Sequence, residues 1–73
     1  MNENEFIEKM VDLMDTEEEI TPASELADIE EWDSISVVSF LAMATKQNPA
    51  KKITPKEVGN AKTIHDLYVL MSD

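Results

Sequence analysis

Apolar residues recur at intervals of three and four positions in three stretches of this 73-residue chain. Such spacing predicts amphipathic helices, because a 3.6-residue turn places these positions on one face. The three stripes are Phe6, Met10, Leu13 and Met14; Val37, Phe40, Leu41 and Ala44; and Ile64, Leu67, Tyr68 and Met71. No long run alternates apolar and polar residues, and no Asn-Gly or Asp-Gly pair marks a hairpin turn. The periodicity therefore predicts an all-α fold.

The second stripe has clear boundaries. Asp33 is a natural N-cap, because its carboxylate can accept hydrogen bonds from the free N–H groups of a helix start. The helix is expected to begin at Ser34, to run to about Gln47, and to end before Pro49, since a residue that precedes proline is pushed out of the helical region.

Pairs of a cap residue and an acid three positions later mark the other helix starts. These pairs are Asn2 with Glu5, Thr54 with Glu57, and Thr63 with Asp66. Pro55 suits the first helical position of a short third helix, and Gly59 is expected to end it. The chain is thus predicted to form one domain over residues 1–73, a small four-helix bundle with three longer helices and a short third helix.

A long connection joins the first two helices over residues 16–32. It is interrupted by Thr21-Pro22, and its expected anchors in the core are Ile20, Leu26, Ile29 and Trp32. A connection of this length in a small domain is more often functional than idle.

Charge is distributed unevenly along the chain. Residues 1–33 contain thirteen acidic residues and one lysine, a net charge of −12, whereas residues 34–73 contain three acidic residues and five lysines, a net charge of +2. This acidity argues against nucleic-acid binding, because a binder must neutralise phosphates. An acidic chain can also mimic nucleic acid, so binding to a basic protein stays open.

Several further classes are disfavoured by the composition. There is no cysteine to form a disulfide, a thiolate nucleophile or a metal ligand. The N-terminus is acidic where a secretory signal is basic, and the most apolar stretch, VVSFLAMA, has only eight residues. We therefore expect a cytoplasmic protein without a membrane span. His65 is interpreted as a polar residue near a helix start, and the run Glu17–Glu19 as a solvated segment, so no metal site is predicted.

The second helix has more apolar surface than one core face needs. Ile35, Val38 and Ala42 lie on another side from its buried stripe. An apolar side beside a helix start is a candidate contact surface, unless the long connection covers it.

Ser34 opens this helix, where free N–H groups and the helix dipole favour a negative group such as phosphate. The order Asp33-Ser34-Ile35 within a four-helix pattern of this length resembles the acyl carrier protein family. Val38, Leu41 and the opening of the last helix, TIHDL, also look like the family. The resemblance covers essentially the whole chain.

The resemblance implies a carrier and not an enzyme. Ser34 would bear 4′-phosphopantetheine, which a phosphopantetheinyl transferase takes from coenzyme A, and an acyl or aminoacyl group would ride on it as a thioester. Asp33 would help to seat the transferase and its metal ion. Acyl-loading and acyl-transferring enzymes would grip Ile35 and Val38. The protein itself is expected to be a monomer. The alternative is an unmodified acidic interaction module of the helix-bundle type.

The chain also departs from this family. Glu31 stands where a glycine is common, two residues before the Asp-Ser pair. Positions of the second helix that are often acidic in fatty-acid carriers are here Ser36, Ser39, Thr45, Lys46 and Gln47. These departures favour a specialised carrier over a general fatty-acid carrier.

Overall fold

The computed structural model describes residues 2–72. Its four helices are α1 (Glu3–Met14), α2 (Ser34–Gln47), α3 (Pro55–Asn60) and α4 (Ile64–Met71). Within residues 2–72 the only β pairing is one isolated bridge between Glu25 and Thr63. The predicted all-α bundle with a short third helix is confirmed, and α2 has the predicted bounds. The connection also contains a one-turn 3-10 helix, Leu26–Asp28, which the sequence did not predict.

Each predicted cap residue begins its helix. At α1, the Glu5 N–H donates to Asn2 Oδ1 at 2.8 Å, and the Asn2 N–H donates to Glu5 Oε1 at 3.1 Å. The same reciprocal pair of bonds forms at Thr54 and Glu57 and at Thr63 and Asp66. These bonds satisfy N–H groups that have no partner within the helix.

The prediction that Gly59 ends α3 is wrong. Gly59 lies inside the helix, which continues to Asn60, and its φ is not positive. The helix ends where Ala61 becomes extended, with φ −70° and ψ 140°, while the Ala61 N–H still donates to the Val58 carbonyl. Glycine ends a helix by adopting the left-handed conformation, and at this position the backbone does not require it.

Aromatic side chains hold α1, α2 and α4 together. The ring of Phe6 packs edge-on against Phe40 with centroids 6.3 Å apart, and it lies 5.4 Å from the ring of Tyr68. Trp32, at the end of the connection, also packs against Phe40, with ring centroids 6.3 Å apart. Phe6 and Phe40 are completely buried. These contacts attach the middle of α2 to α1 and to the end of the connection.

The long connection is a folded part of the domain. Ile20, Leu26 and Ile29 are buried and Trp32 is half-buried, which confirms all four predicted anchors. The middle of the connection is also joined to the start of α4 by backbone hydrogen bonds. They run from Leu26 N–H to Lys62 O at 2.8 Å, from Ile64 N–H to Ser24 O at 3.0 Å, and from His65 N–H to Pro22 O at 2.9 Å.

Candidate functional site at the start of α2

Asp33 organises the first turn of α2. Its backbone is extended, and its Oδ1 accepts a hydrogen bond from the Ser36 N–H at 3.0 Å. This bond stabilises the carboxylate and holds the pKa of Asp33 below its ordinary value of 3.8, although some burial opposes the shift. The predicted N-cap is confirmed, so the capping function belongs to Asp33 and not to the serine beside it.

Ser34 is the first residue of α2 and is exposed. Within residues 2–72 its hydroxyl makes no hydrogen bond. Since Asp33 already caps the helix, the Ser34 hydroxyl has no structural role in the cap. It is the kind of group that a modifying enzyme can reach.

The apolar side of α2 beside Ser34 is open to solvent. Ile35 is 76% exposed and Val38 is 66% exposed, and Ala42 is exposed one turn further along. In contrast, Phe40 and Ala44 on the predicted core stripe are buried. The long connection therefore does not cover this side. Exposed apolar side chains of this size next to a candidate site form a candidate contact surface for a partner protein.

Ser36 does not belong to the solvent-facing side of α2. The resemblance to the acyl carrier family grouped it with Ser39, Thr45, Lys46 and Gln47 as a position that is often acidic in fatty-acid carriers. In the structure Ser36 is only 5% exposed, and its Oγ donates to the Glu31 carbonyl oxygen at 2.6 Å. An acidic side chain could not be accommodated there without disrupting this bond, so Ser36 is a structural residue.

A second buried hydroxyl, that of Thr16, also forms a hydrogen bond with Glu31. Thr16 is 7% exposed, and its Oγ1 donates to Glu31 Oε1 at 3.1 Å while it accepts the Glu18 N–H at 3.1 Å. The sequence analysis did not single out Thr16, and it noted Glu31 only as the replacement for a glycine. The unusual glutamate was the one available indication of this cluster.

Acidic side chains surround the Glu31 carboxylate. An open depression of about 480 Å³ is lined by Asp15, Glu17, Glu18, Glu30 and Glu31. A hydrogen bond shared with the Glu31 carboxyl, partial burial and the negative charges of Glu31 and Glu30 all raise the pKa of Glu18. No group of three or more potential ligands in residues 2–72 is arranged to hold a metal ion. The run Glu17–Glu19 is an exposed loop, as predicted.

His65 lies outside this site. It is exposed in the first turn of α4, and its Nδ1 is 2.6 Å from Oε2 of Glu3 in α1. The side chain therefore links the starts of two helices, in agreement with its interpretation as a polar residue near a helix start.

Comparisons of this chain with protein-family models, with curated proteins and with solved structures find no match. The fold and the site define a small helical bundle that presents an exposed serine at a helix start, next to an exposed apolar side. In residues 2–72 no helix combines the length and the apolar character needed to cross a bilayer.

Proposed function

We propose that this protein is an acyl carrier protein that bears 4′-phosphopantetheine on Ser34. The observation that supports this most directly is the Ser34 hydroxyl, which is exposed at the start of α2 and free of hydrogen bonds within residues 2–72. A phosphopantetheinyl transferase would join this oxygen to the pantetheine phosphate of coenzyme A. The pyrophosphate bond of coenzyme A would break, adenosine 3′,5′-bisphosphate would leave, and the serine hydroxyl would lose its proton. The protein would act as a substrate and a shuttle, not as an enzyme.

The residues around Ser34 suit such a group. A phosphodiester on Ser34 would place its negative charge at the N-terminus of α2, where the helix dipole and the N–H groups favour it. Asp33 already satisfies the Ser36 N–H, so modification would not remove a cap bond. The chain has no cysteine, and the arm would supply the thiol on which an acyl or aminoacyl group is carried.

The exposed side chains of Ile35 and Val38 are the proposed docking surface for partner enzymes. These partners would be the transferase and the enzymes that load and transfer the acyl group. Burial of two aliphatic side chains would contribute roughly 1.5–3 kcal/mol each, enough to matter for a transient complex. The proposal includes a monomeric carrier that works in the cytoplasm, in fatty acid or specialised acyl biosynthesis.

A specialised pathway is favoured by the solvent-facing residues of α2. No residue of α2 is acidic. Of the positions that are often acidic in fatty-acid carriers, Ser39 is half-buried, and Thr45, Lys46 and Gln47 are exposed. A basic partner surface suited to an acidic helix would find little attraction here.

The test is intact mass spectrometry after incubation with coenzyme A and a broad-specificity transferase. Wild-type protein should gain the mass of one phosphopantetheine, and Ser34→Ala should gain none while it keeps its helical circular dichroism. Ser39→Ala, a serine change in the same helix, is the matched control and should be modified like the wild type. If several transferases leave the wild type unmodified, the protein is better described as an acidic interaction module.

A further inference from the structure

Asp33 and Ser36, on either side of Ser34 in the sequence, both donate hydrogen bonds to the Glu31 carbonyl oxygen. The Glu31 carboxylate in turn accepts a hydrogen bond from Thr16. On the basis of the proposed loading of Ser34, we propose that Thr16 and Glu31 are positioning residues. They hold the first turn of α2 in the orientation in which the Ser34 hydroxyl is modified.

The connection begins at the end of α1. Asp15 adopts the left-handed conformation, with φ 52° and ψ 44°, and turns the chain so that the next residue, Thr16, points inward. Non-glycine residues seldom adopt this conformation, and aspartate is among those that tolerate it best. The Thr16 hydroxyl then donates to the Glu31 carboxylate, fifteen residues further along the chain. The chain just after the end of α1 is thus joined to the last residues before α2.

Glu31 carries this link to the site through its main chain. Its carbonyl oxygen accepts the Ser36 hydroxyl at 2.6 Å and the Asp33 N–H at 3.1 Å. These two donors lie on either side of Ser34 in the sequence. The side chain of Glu31 is therefore bonded to Thr16, two residues after α1, and its backbone is bonded to residues on both sides of Ser34.

The hydroxyl of Thr16 is important because the surroundings of Glu31 are repulsive. Four other carboxylates, from Asp15, Glu17, Glu18 and Glu30, line the same depression. Neighbouring like charges repel one another. The Thr16 hydroxyl donates a hydrogen bond that stabilises the Glu31 carboxylate in its observed position. Without this donor we expect the Glu31 side chain to move toward solvent and the turn before α2 to loosen.

The experiment compares Thr16→Val, which removes the hydroxyl and keeps the shape, with Thr16→Ser, which keeps the hydroxyl. Thr54→Val is the control for lost stability, because the Thr54 hydroxyl bonds with Glu57 at the start of α3. Steady-state loading by the transferase is measured at a temperature where circular dichroism shows every variant to be folded.

Thr16→Val should lower kcat for loading about three- to tenfold, a change of the size of one hydrogen bond's net contribution. Its KM should change little, because the apolar docking side chains are untouched and only the orientation of the reacting oxygen is affected. Thr16→Ser should restore most of the rate. In amide NMR spectra the signals of residues 33–36 should shift or broaden in Thr16→Val and not in Thr54→Val.

The inference is overturned if Thr16→Val loads like the wild type, or if Thr54→Val slows loading to the same extent. Should Thr16→Val fail to fold, Glu31→Gln and Glu31→Leu make the same comparison, since glutamine keeps an oxygen acceptor for Thr16 and leucine does not. In that comparison Glu31→Leu should load slowly and Glu31→Gln should not, and equal rates would overturn the inference. Failure of the wild type to accept phosphopantetheine would instead overturn the proposed function itself, and this inference with it.

Discussion

Single residues on α2 have very different surroundings within a short distance. Phe40 is completely buried and contacts the rings of Phe6 and Trp32, whereas Ile35, five positions earlier, is 76% exposed. A helix with two apolar sides therefore uses one for stability and leaves the other accessible. This difference can be measured directly.

Phe40→Ala should destabilise the fold by about 3–5 kcal/mol, because it empties an aromatic site in a tightly packed core. In a domain this small that is a large part of the total stability. Ile35→Ala should leave the midpoint of urea unfolding almost unchanged and should raise the KM for phosphopantetheine loading. Similar losses of stability in both variants would show that the exposed side has a structural role and is not a docking surface.

The paired carboxyls of Glu18 and Glu31 predict an effect of pH. The pKa of Glu18 is raised in the folded protein above its ordinary value of 4.5, so the folded state binds this proton more tightly than the unfolded chain. The resulting stabilisation is fully present below 4.5 and is lost as the pH rises through the raised pKa. The negative charges of Glu31 and Glu30, which help to raise this pKa, repel the charged form of Glu18.

Glu18→Gln should therefore stabilise the protein at pH 7, and the unfolding midpoint should vary less with pH just above the ordinary value for glutamate. Chemical unfolding followed by circular dichroism across this range measures both effects. Glu19→Gln removes the same charge one residue further along and serves as the control. A gain of equal size in Glu19→Gln would attribute the effect to net charge, and not to the pair.

At the scale of helices, α4 depends on its first turn. The Asp66 Oδ2 accepts the N–H groups of Lys62 at 2.9 Å and Thr63 at 3.2 Å, and Thr63 Oγ1 accepts the Asp66 N–H. The two bonds to the carboxylate, from Lys62 and then Thr63, hold the pKa of Asp66 below its ordinary value of 3.8. The backbone hydrogen bonds between α4 and the long connection are made at the same turn. Disruption of this turn would therefore loosen both α4 and the connection.

This arrangement predicts an acid-sensitive contribution to stability. A carboxyl whose pKa is lowered by folding stabilises the protein at pH values above its ordinary pKa, here 3.8. This stabilisation is lost as the pH falls through the lowered pKa of the folded state. Asp66→Asn should lower the thermal midpoint at pH 7, and the difference from the wild type should shrink at acidic pH. Asp12→Asn, at an exposed carboxylate in α1, is the control. A difference between Asp66→Asn and the wild type that stays constant with pH would contradict this account.

At the scale of the whole molecule, charge is the property that sets partner choice in this proposal. Thirteen of the sixteen acidic residues precede α2, whereas four of the six lysines follow it. Exposed charges mainly influence the association rate and its salt dependence, with about 0.2–1 kcal/mol for each pair. If the proposed carrier function holds, the unusual charge of α2 bears on which enzymes bind the protein, and not on whether it folds.

We expect general fatty-acid enzymes, such as a malonyl transferase, to load this protein poorly. Ser39→Glu combined with Lys46→Glu should improve the loading, and raised salt should remove much of the gain because it screens exposed charges. Ser36 is left unchanged, since it is buried and bonded to Glu31. Lys52→Glu makes the same charge change as Lys46→Glu outside α2 and should have little effect. Efficient loading of the unaltered protein at physiological salt would contradict the specialised role.

The sequence by itself determined the features that depend on neighbouring residues. Asp33, Thr54 and Thr63 begin their helices as predicted, because a cap and its N–H partner are only three residues apart. The buried and exposed sides of α2 also followed from spacing, since the helical period places Phe40 and Ile35 on different sides. The position of Ser34 at an exposed helix start rests on the same local rules.

Only the tertiary structure decided which distant residues meet around that serine. Thr16 and Glu31 are fifteen positions apart, and their bond depends on how α1 ends and how the connection folds back. Spacing did not show that Ser36 is buried, because the carbonyl oxygen that accepts its hydroxyl belongs to Glu31, outside the helix. Local periodicity shows which face of one helix is apolar. The partner of a buried hydroxyl, however, depends on how separate segments pack together, and a short stretch of sequence does not contain that information.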